Sequence, residues 1–193
     1  MALTDNPVLL TFGVLLALVV GGYAVVIYNG LVRLRKNIDE SMGNIDVLLK
    51  QRSEEIPNLV DTAQEYMSYE RETLEDITSQ RTKVQRASTP KQKAEADQQM
   101  RSMLGNLFAV AEDYPELKSN QQFQKVQQRI SDIQDKISSR REFYNDSVTT
   151  YNTRINQIPY NVVASLLGYT EKEVFEATEQ EKQNVDISEE FNS

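Results

Sequence analysis

Val8 to Tyr28 reads VLLTFGVLLALVVGGYAVVIY, a run of apolar and small residues without one charged side chain. At about 1.5 Å of rise per helical residue, a segment of this length matches the ~30 Å hydrocarbon core of a bilayer. A helix buried in a soluble protein is rarely apolar on every face over such a distance. A secretory signal has a basic leader, a shorter apolar region and a small-residue cleavage site. Met1 to Pro7 carries only Asp5, and no A-x-A pattern follows the run. The expectation is an uncleaved transmembrane helix over residues 8–28, behind a short extracytoplasmic N-terminus over 1–7.

The flanks set a direction. Arg33, Arg35 and Lys36 follow the run, and no Lys or Arg precedes it. The positive-inside bias therefore places the N-terminus outside and the rest of the chain in the cytoplasm, at the cell membrane. The same three cations can meet anionic lipid headgroups. Within the run, Gly13, Ala17 and Gly21 recur every four residues on one helix face. Small residues so spaced let two helices approach closely and self-associate, although Gly and Ala are common in membrane helices anyway.

Beyond the anchor the pattern is helical throughout. One stripe spaced three and four apart reads Ile38, Met42, Ile45, Leu49, Arg52, Ile56, Leu59, Ala63, Tyr66, Glu70. It resumes at Leu74, Ile77, Arg81 and Val84, with a four-residue step resembling a stutter. Pro57 lies inside it. With the phase kept across Pro57 and no Gly or Asn cluster beside it, a kink is favoured over a turn. Ala87-Ser88-Thr89-Pro90 is clear punctuation, with Thr89 able to cap a helix that has Pro90 at its first position.

That helix carries Ala94, Met100, Met103, Leu104, Leu107, Phe108 and Ala111, and ends near Tyr114-Pro115. A third long helix starts near Asn120, with the stripe Phe123, Val126, Ile130, Ile133, Ile137, Arg140, Tyr144, Val148, Tyr151, Ile155, Ile158. Pro159 closes it. A short apolar stretch, Val162 to Leu167, ends at Gly168, and Thr170 with Glu173 fits a capping box for one more short helix or turn. The expected fold is all-α: a single N-terminal transmembrane helix, then an antiparallel bundle of long amphipathic helices. A kink at Pro57 makes the first arm one bent rod, and a turn there makes four bundle helices.

Several blocks, in order, resemble the LemA family. They are Ile45-Asp46-Val47, Arg52, Ile56-Pro57-Asn58-Leu59-Val60, and Tyr66 with Glu70 and Leu74. Then come Ala111-Glu112-Asp113-Tyr114-Pro115-Glu116-Leu117-Lys118, the paired Tyr144-Asn145 and Tyr151-Asn152, and finally Pro159 and Gly168. Met42 stands where the family often has Trp, and Tyr169 where Phe is usual, swaps among large apolar residues that the fold tolerates. The resemblance covers about Tyr28 to Phe175. It implies a membrane helix followed by an antiparallel bundle over 29–169, and brings no catalytic residues with it. It also implies a tie to membrane organisation, through relatives in magnetosome-forming bacteria. Some family members are encoded beside a heat-shock membrane metalloprotease, which implies a rival role as an accessory subunit of such an enzyme.

Composition bounds the chemistry. Without Cys there is no thiolate nucleophile, disulfide or Cys-based zinc site, and without His the commonest general base and imidazole ligand are gone. Asp46, Glu70, Asp113 and Glu116 invite a carboxylate metal site, but a di-metal bundle needs inward Glu-x-x-His pairs. No Gly-rich phosphate loop and no G-x-S-x-G or Ser-x-x-Lys motif is present. The chain is therefore read as a non-enzyme without cofactor or metal.

Arg52, Glu70 and Arg140 occupy stripe positions, where a charge must be paired or reach the rim, so they are read as polar layers that set helix register. Asn145 and Asn152, seven apart beside Tyr144 and Tyr151, are read as hydrogen-bonding within the bundle. The formal net charge of −8 disfavours nucleic acid. Eight acidic and two basic residues lie from Glu171 to Ser193, so residues 170–193 are read as a solvated acidic tail. The expected contacts are membrane lipid, a protein partner and further copies of the chain.

Overall fold

The computed structural model describes residues 7–175. Those residues are all-α, as expected, in six helices. They are α1 (Pro7–Gln64), α2 (Arg71–Arg86), α3 (Pro90–Ala111), α4 (Pro115–Lys118), α5 (Gln121–Asn156) and α6 (Tyr160–Leu166). The described residues fall into two units. One takes the chain as far as Asp39 together with Ser147–Lys172, and the other takes Glu40–Asp146 and the chain from Glu173 onward.

The larger unit is a four-helix bundle of α1 from Glu40, α2, α3 and α5 to Asp146. Its core includes Ile45, Leu49, Ile56, Leu59, Leu74, Ile77, Met100, Leu107, Phe123 and Ile137, all nearly water-free. Directions follow from paired contacts. Arg52 meets Gln134 while Glu55 meets Arg129, so α1 and α5 run antiparallel. Asp46 meets Lys93 while Arg52 meets Asp97, so α1 and α3 run parallel. Gln80 Nε2 donates to the Ala96 carbonyl, joining α2 to α3 across the turn between them. Up-down-up-down connection by short turns brings the apolar stripes together.

Helix α1 runs unbroken through Pro57, so Pro57 is not a turn. The chain does not continue as one bent rod, however. The reversal comes at residues 65–70, where neither Gly nor Pro marks it. The amides of Tyr66 and Met67 both donate to the Ala63 carbonyl, Met67 folds into the core, and Tyr69 is left 92% exposed. Burial of Met67 at the head of the hairpin outweighs helix continuation there. Glu70 is consequently no register layer. It is the residue before α2, and its side chain makes no capping bond.

Pro57 has a use the sequence did not reveal. It cannot donate to the carbonyl four residues back, that of Ser53. Arg81 Nε of α2 donates to that oxygen instead, at 2.7 Å. The proline thus frees an acceptor that ties α2 to α1. Arg81→Ala should cost about 1–3 kcal/mol, because the Ser53 carbonyl loses its donor. The cost should shrink in a Pro57→Ala background, where the helix's own N–H reaches the carbonyl. A thermal-denaturation double-mutant cycle measures this, and equal costs in both backgrounds would refute the linkage.

The other ends are capped as the sequence suggests. Thr89 Oγ1 accepts from the Gln92 amide at 3.2 Å and Gln92 Oε1 accepts from the Thr89 amide, a full capping box with Pro90 next. Thr89→Ala should lower bundle stability by about 1 kcal/mol, read as a shift in the denaturation midpoint. Asn120 Oδ1 accepts from the amides of Gln122 and Phe123 to start α5, and its Nδ2 donates to Tyr66 Oη.

The smaller unit holds the first part of α1, the end of α5, and α6. Apart from half-buried Ala24, residues 8–26 of α1 are bare of protein packing, with Val8, Phe12, Leu18, Val19 and Val26 each more than 60% exposed. Ile27, Leu31 and Ile38 are buried, as are Val148, Tyr151, Ile155 and Ala164. Ile158 is not part of that packing. It lies beyond the end of α5, next to Pro159 with a cis bond between them, and is 83% exposed. Helix α6 closes with Gly168 at φ +64, while the amides of Gly168 and Tyr169 donate to the carbonyls of Ser165 and Ala164. This is a Schellman ending, and it needs a residue that tolerates the left-handed region.

No helix starts at Thr170. Residues 170–175 are non-helical, because their backbone groups are bonded by side chains of α5. The first six residues of the expected solvated tail are therefore docked, and Phe175 is fully buried. The rest of the expected tail, and residues 1–6 of the expected N-terminus, lie outside the described residues.

Candidate functional site

The most unusual chemistry of the four-helix unit is a buried ion cluster. Asp97 of α3 is fully buried, and its Oδ1 lies 2.6 Å from Arg52 Nη2 on α1. Arg101 of α3 and Arg141 of α5 each approach Asp97 Oδ2 at 3.6 Å. Arg52 also donates to Gln134 Oε1 of α5. Burial pushes the Arg52 guanidinium below its usual pKa, and the Asp97 charge acts in the opposite sense. Arginine suits this position because its planar fork serves two acceptors at once and it stays charged when desolvated. One carboxylate thus gathers cations from three helices. The arrangement links α1, α3 and α5 at one level.

Arg52 is therefore placed in a polar layer. Arg140 is not, being exposed, and its neighbour Arg141 takes the inward position. The stripe passes Ile137, Arg141, Tyr144, Val148, Tyr151, Ile155, so one four-residue step moves the inward charge by a single residue. Asp97 and Gln134 are absent from the sequence reading. Asp97 could have been found, because it precedes Met100, Leu104, Leu107 and Ala111 in strict three-four spacing.

The second arrangement is a pair of backbone clamps. In the four-helix unit, Tyr144 Oη donates to the Glu173 carbonyl at 2.8 Å. Asn145 Nδ2 donates to the Phe175 carbonyl, and Asn145 Oδ1 accepts from the Phe175 amide at 2.7 Å. In the smaller unit, Tyr151 Oη donates to the Thr170 carbonyl. Asn152 there bonds both the amide and the carbonyl of Lys172. A side-chain amide paired with one residue's N–H and C=O mimics a strand partner. Each Tyr-Asn pair holds the main chain of the segment after α6, and Tyr144 also packs edge-on against the Phe175 ring. The asparagines therefore serve that segment rather than neighbours within the helices. Burial raises the Tyr151 hydroxyl above its ordinary pKa, while Arg35 nearby acts to lower it.

The remaining singled-out residues are dispersed. Asp46 pairs with Lys93 at 2.5 Å, Glu116 and Pro115 lie in α4, and Tyr114 precedes α4. Asn58 gives its carbonyl to Thr62 Oγ1. Among the described residues, no three carboxylates converge on a metal-sized site. At Gly13 and Gly21 an added Cβ would meet nothing within 4 Å, and Ala17 between them is exposed.

Together these features define a membrane-associated helical-bundle protein. The apolar stretch at the start of α1 carries almost no internal packing, and α1 is the one described helix long and apolar enough to cross a bilayer. A model of the LemA family matches residues 41–188. Protein LemA of Metamycoplasma hominis is 30% identical over 162 residues, covering 83% of this chain and 74% of that protein. The chain belongs to the LemA family. It is also similar to Magnetosome protein MamQ 2 of Paramagnetospirillum magneticum, 35% identical over 81 residues. That match covers 42% of this chain and only 30% of the relative. Magnetosome protein MamQ of Magnetospirillum gryphiswaldense is 34% identical over 80 residues, 42% of this chain and 29% of that protein.

Proposed function

We propose that the chain is a single-pass, membrane-tethered helical scaffold that presents its bundle to protein partners at the cytoplasmic face of the cell membrane. The observation that carries this reading is the contrast within α1. Residues 8–26 leave their apolar side chains bare, whereas from Glu40 the same helix supplies a core face of a packed bundle. Bare apolar surface over that length belongs in lipid. The buried charges Arg52, Asp97 and Arg141 pair with one another, which supports a structural role for them rather than a catalytic one. Six acidic and one basic residue between Glu176 and Ser193 offer a charged contact for a partner. Confinement to two dimensions raises effective concentration, so modest contacts suffice.

Purification in mild detergent tests the scaffold. The expected recovery is the chain with further copies of itself or with a non-enzymatic protein. Recovery of a membrane protease whose turnover changes when the chain is removed would replace this reading with the accessory-subunit one. Release of the chain from membranes by alkaline carbonate would end the tether. For orientation, a reporter fused after Ser193 should be active in the cytoplasm. Activity on the opposite side would invert the topology that Arg33, Arg35 and Lys36 support.

A further inference from the structure

Helix α6 is built inside out. At 100° per residue, Val162 and Leu166 each lie about 160° around the helix from Ala164. Ala164 is the buried residue, while Val162 and Leu166 are 59% and 83% exposed. Ile158 before the helix and Leu167 after it are exposed as well. The small side chain faces the protein and the large apolar ones face away. The sixteen residues from Ile155 to Thr170 contain no charge, in a chain where about a quarter of residues are charged. A water-facing surface of this composition is costly, and an apolar patch so placed marks a contact.

The position of α6 identifies the contact. Within the smaller unit, Arg35 stacks over the Tyr169 ring at 4.4 Å, so Tyr169 stands at the level of Arg35. Leu31 and Ile27, one and two turns nearer the bare run, are buried. The bare run cannot cover its own continuation. The other described segment of this unit, Ser147–Lys172, holds buried Ile155 and α6. Tyr169, three residues past the end of α6, sits on Arg35, so α6 ends close to the first turns of α1 after the apolar run. Exposed Tyr23 and Tyr28 stand at that end of the run, as aromatic residues do at a bilayer interface, and Arg33 and Lys36 follow, exposed.

We infer that α6 is a second membrane contact. Ile158, Val162, Leu166 and Leu167 enter the interfacial layer of the bilayer that α1 crosses, next to the point where α1 leaves it. This rests on the reading of residues 8–28 as the span. The contact would hold the smaller unit against the membrane by two points instead of one, fixing its tilt about the α1 axis.

The chain has no cysteine, so single-cysteine spin labelling of the full-length protein needs no other substitution. The protein is reconstituted in phosphatidylcholine–phosphatidylglycerol nanodiscs with a nitroxide at Val162→Cys or Leu166→Cys. Val14→Cys in the span and Tyr69→Cys on the bundle serve as references. All four positions are exposed, so the label displaces no core packing. Lipid-facing labels collide more with oxygen than with a water-soluble nickel chelate, and aqueous labels show the reverse order.

The expected result is the lipid order at Val14, Val162 and Leu166 and the aqueous order at Tyr69. The aqueous order at Val162 and Leu166 with the lipid order at Val14 overturns the α6 contact and leaves the span standing. Low accessibility to both reagents at Val162 and Leu166 places a protein there, a second copy included, and also overturns it. The aqueous order at Val14 removes the span, and the α6 contact with it.

Discussion

Asp97→Ala is expected to destabilise the four-helix unit by about 3–5 kcal/mol, the usual cost of leaving one partner of a buried ion pair uncompensated. For a chain of this size that lowers the Tm by roughly 6–20 °C. The mechanism is specific. Arg52 is fully buried, its guanidinium is already pushed below its ordinary pKa, and Asp97 is the charge that opposes the shift. Without the carboxylate, Arg52 keeps only the Gln134 bond. Arg101 and Arg141 then add repulsion instead of sharing an anion. Arg101 is partly exposed and can turn to water, whereas Arg52 has no route out.

Replacing the pair together, Arg52→Met with Asp97→Leu, should recover most of the loss, since apolar residues of similar volume remove the desolvation penalty along with the attraction. Thermal or denaturant unfolding in a fixed detergent reads both variants. A cost below about 1 kcal/mol for Asp97→Ala would mean that Arg52 reaches solvent in the folded protein, and the register role would fail.

The fold was legible where one physical effect dominates over a long stretch. The 8–28 run announces itself by length and lack of charge, and the structure leaves 8–26 bare. Thr89-Pro90, Asn120 and Gly168 are local chemistry, and each ends or starts a helix as read. The turn at residues 65–70 was not legible, because its determinant is tertiary. Met67 is drawn into a core that exists only once α2 has folded back. The periodic stripe runs across this turn in nearly unbroken phase, so periodicity alone favours a continuous rod.

The polar layer was half legible. Arg52 fits the stripe, but apolar spacing does not distinguish Arg140 from Arg141 near a four-residue step. Asp97 lies outside the apolar residues that mark its helix, and only its three-four spacing to Met100 and Leu104 signals an inward position. The capping-box pattern at Thr170 and Glu173 misled for a different reason. Its backbone groups are claimed by Tyr144, Tyr151 and two asparagines from far along the chain. A local motif yields where long-range partners satisfy the same groups better.

Phe175→Ala is expected to release the segment held by Asn145. The ring is fully buried, packs edge-on against Tyr144 at a centroid distance of 6.4 Å, and lies under the Arg141 guanidinium at 4.9 Å. Truncating a buried Phe costs about 3–5 kcal/mol in a packed site. Here the loss has a ceiling, because the segment can detach by itself once its docking energy is gone, leaving the helices folded. The effect should therefore appear locally before it appears globally. Hydrogen exchange at the Phe175 amide should quicken by about two to three orders of magnitude, while core amides of α3 change far less.

Asn145→Asp separates the two bonds of the clamp. It keeps an acceptor for the Phe175 amide, but it sets a carboxylate against the Phe175 carbonyl in place of the Nδ2 donor. Its loss of protection should fall between that of the native chain and that of Phe175→Ala. Unchanged exchange at Phe175 in both variants would show that the backbone pairing does not hold the segment. An equal loss across the whole bundle would show instead that docking of Phe175 is a cooperative part of the four-helix core. In that case the Tyr144-Asn145 pair stabilises the bundle itself, and the chain beyond Phe175 leaves from a point that cannot detach without unfolding it.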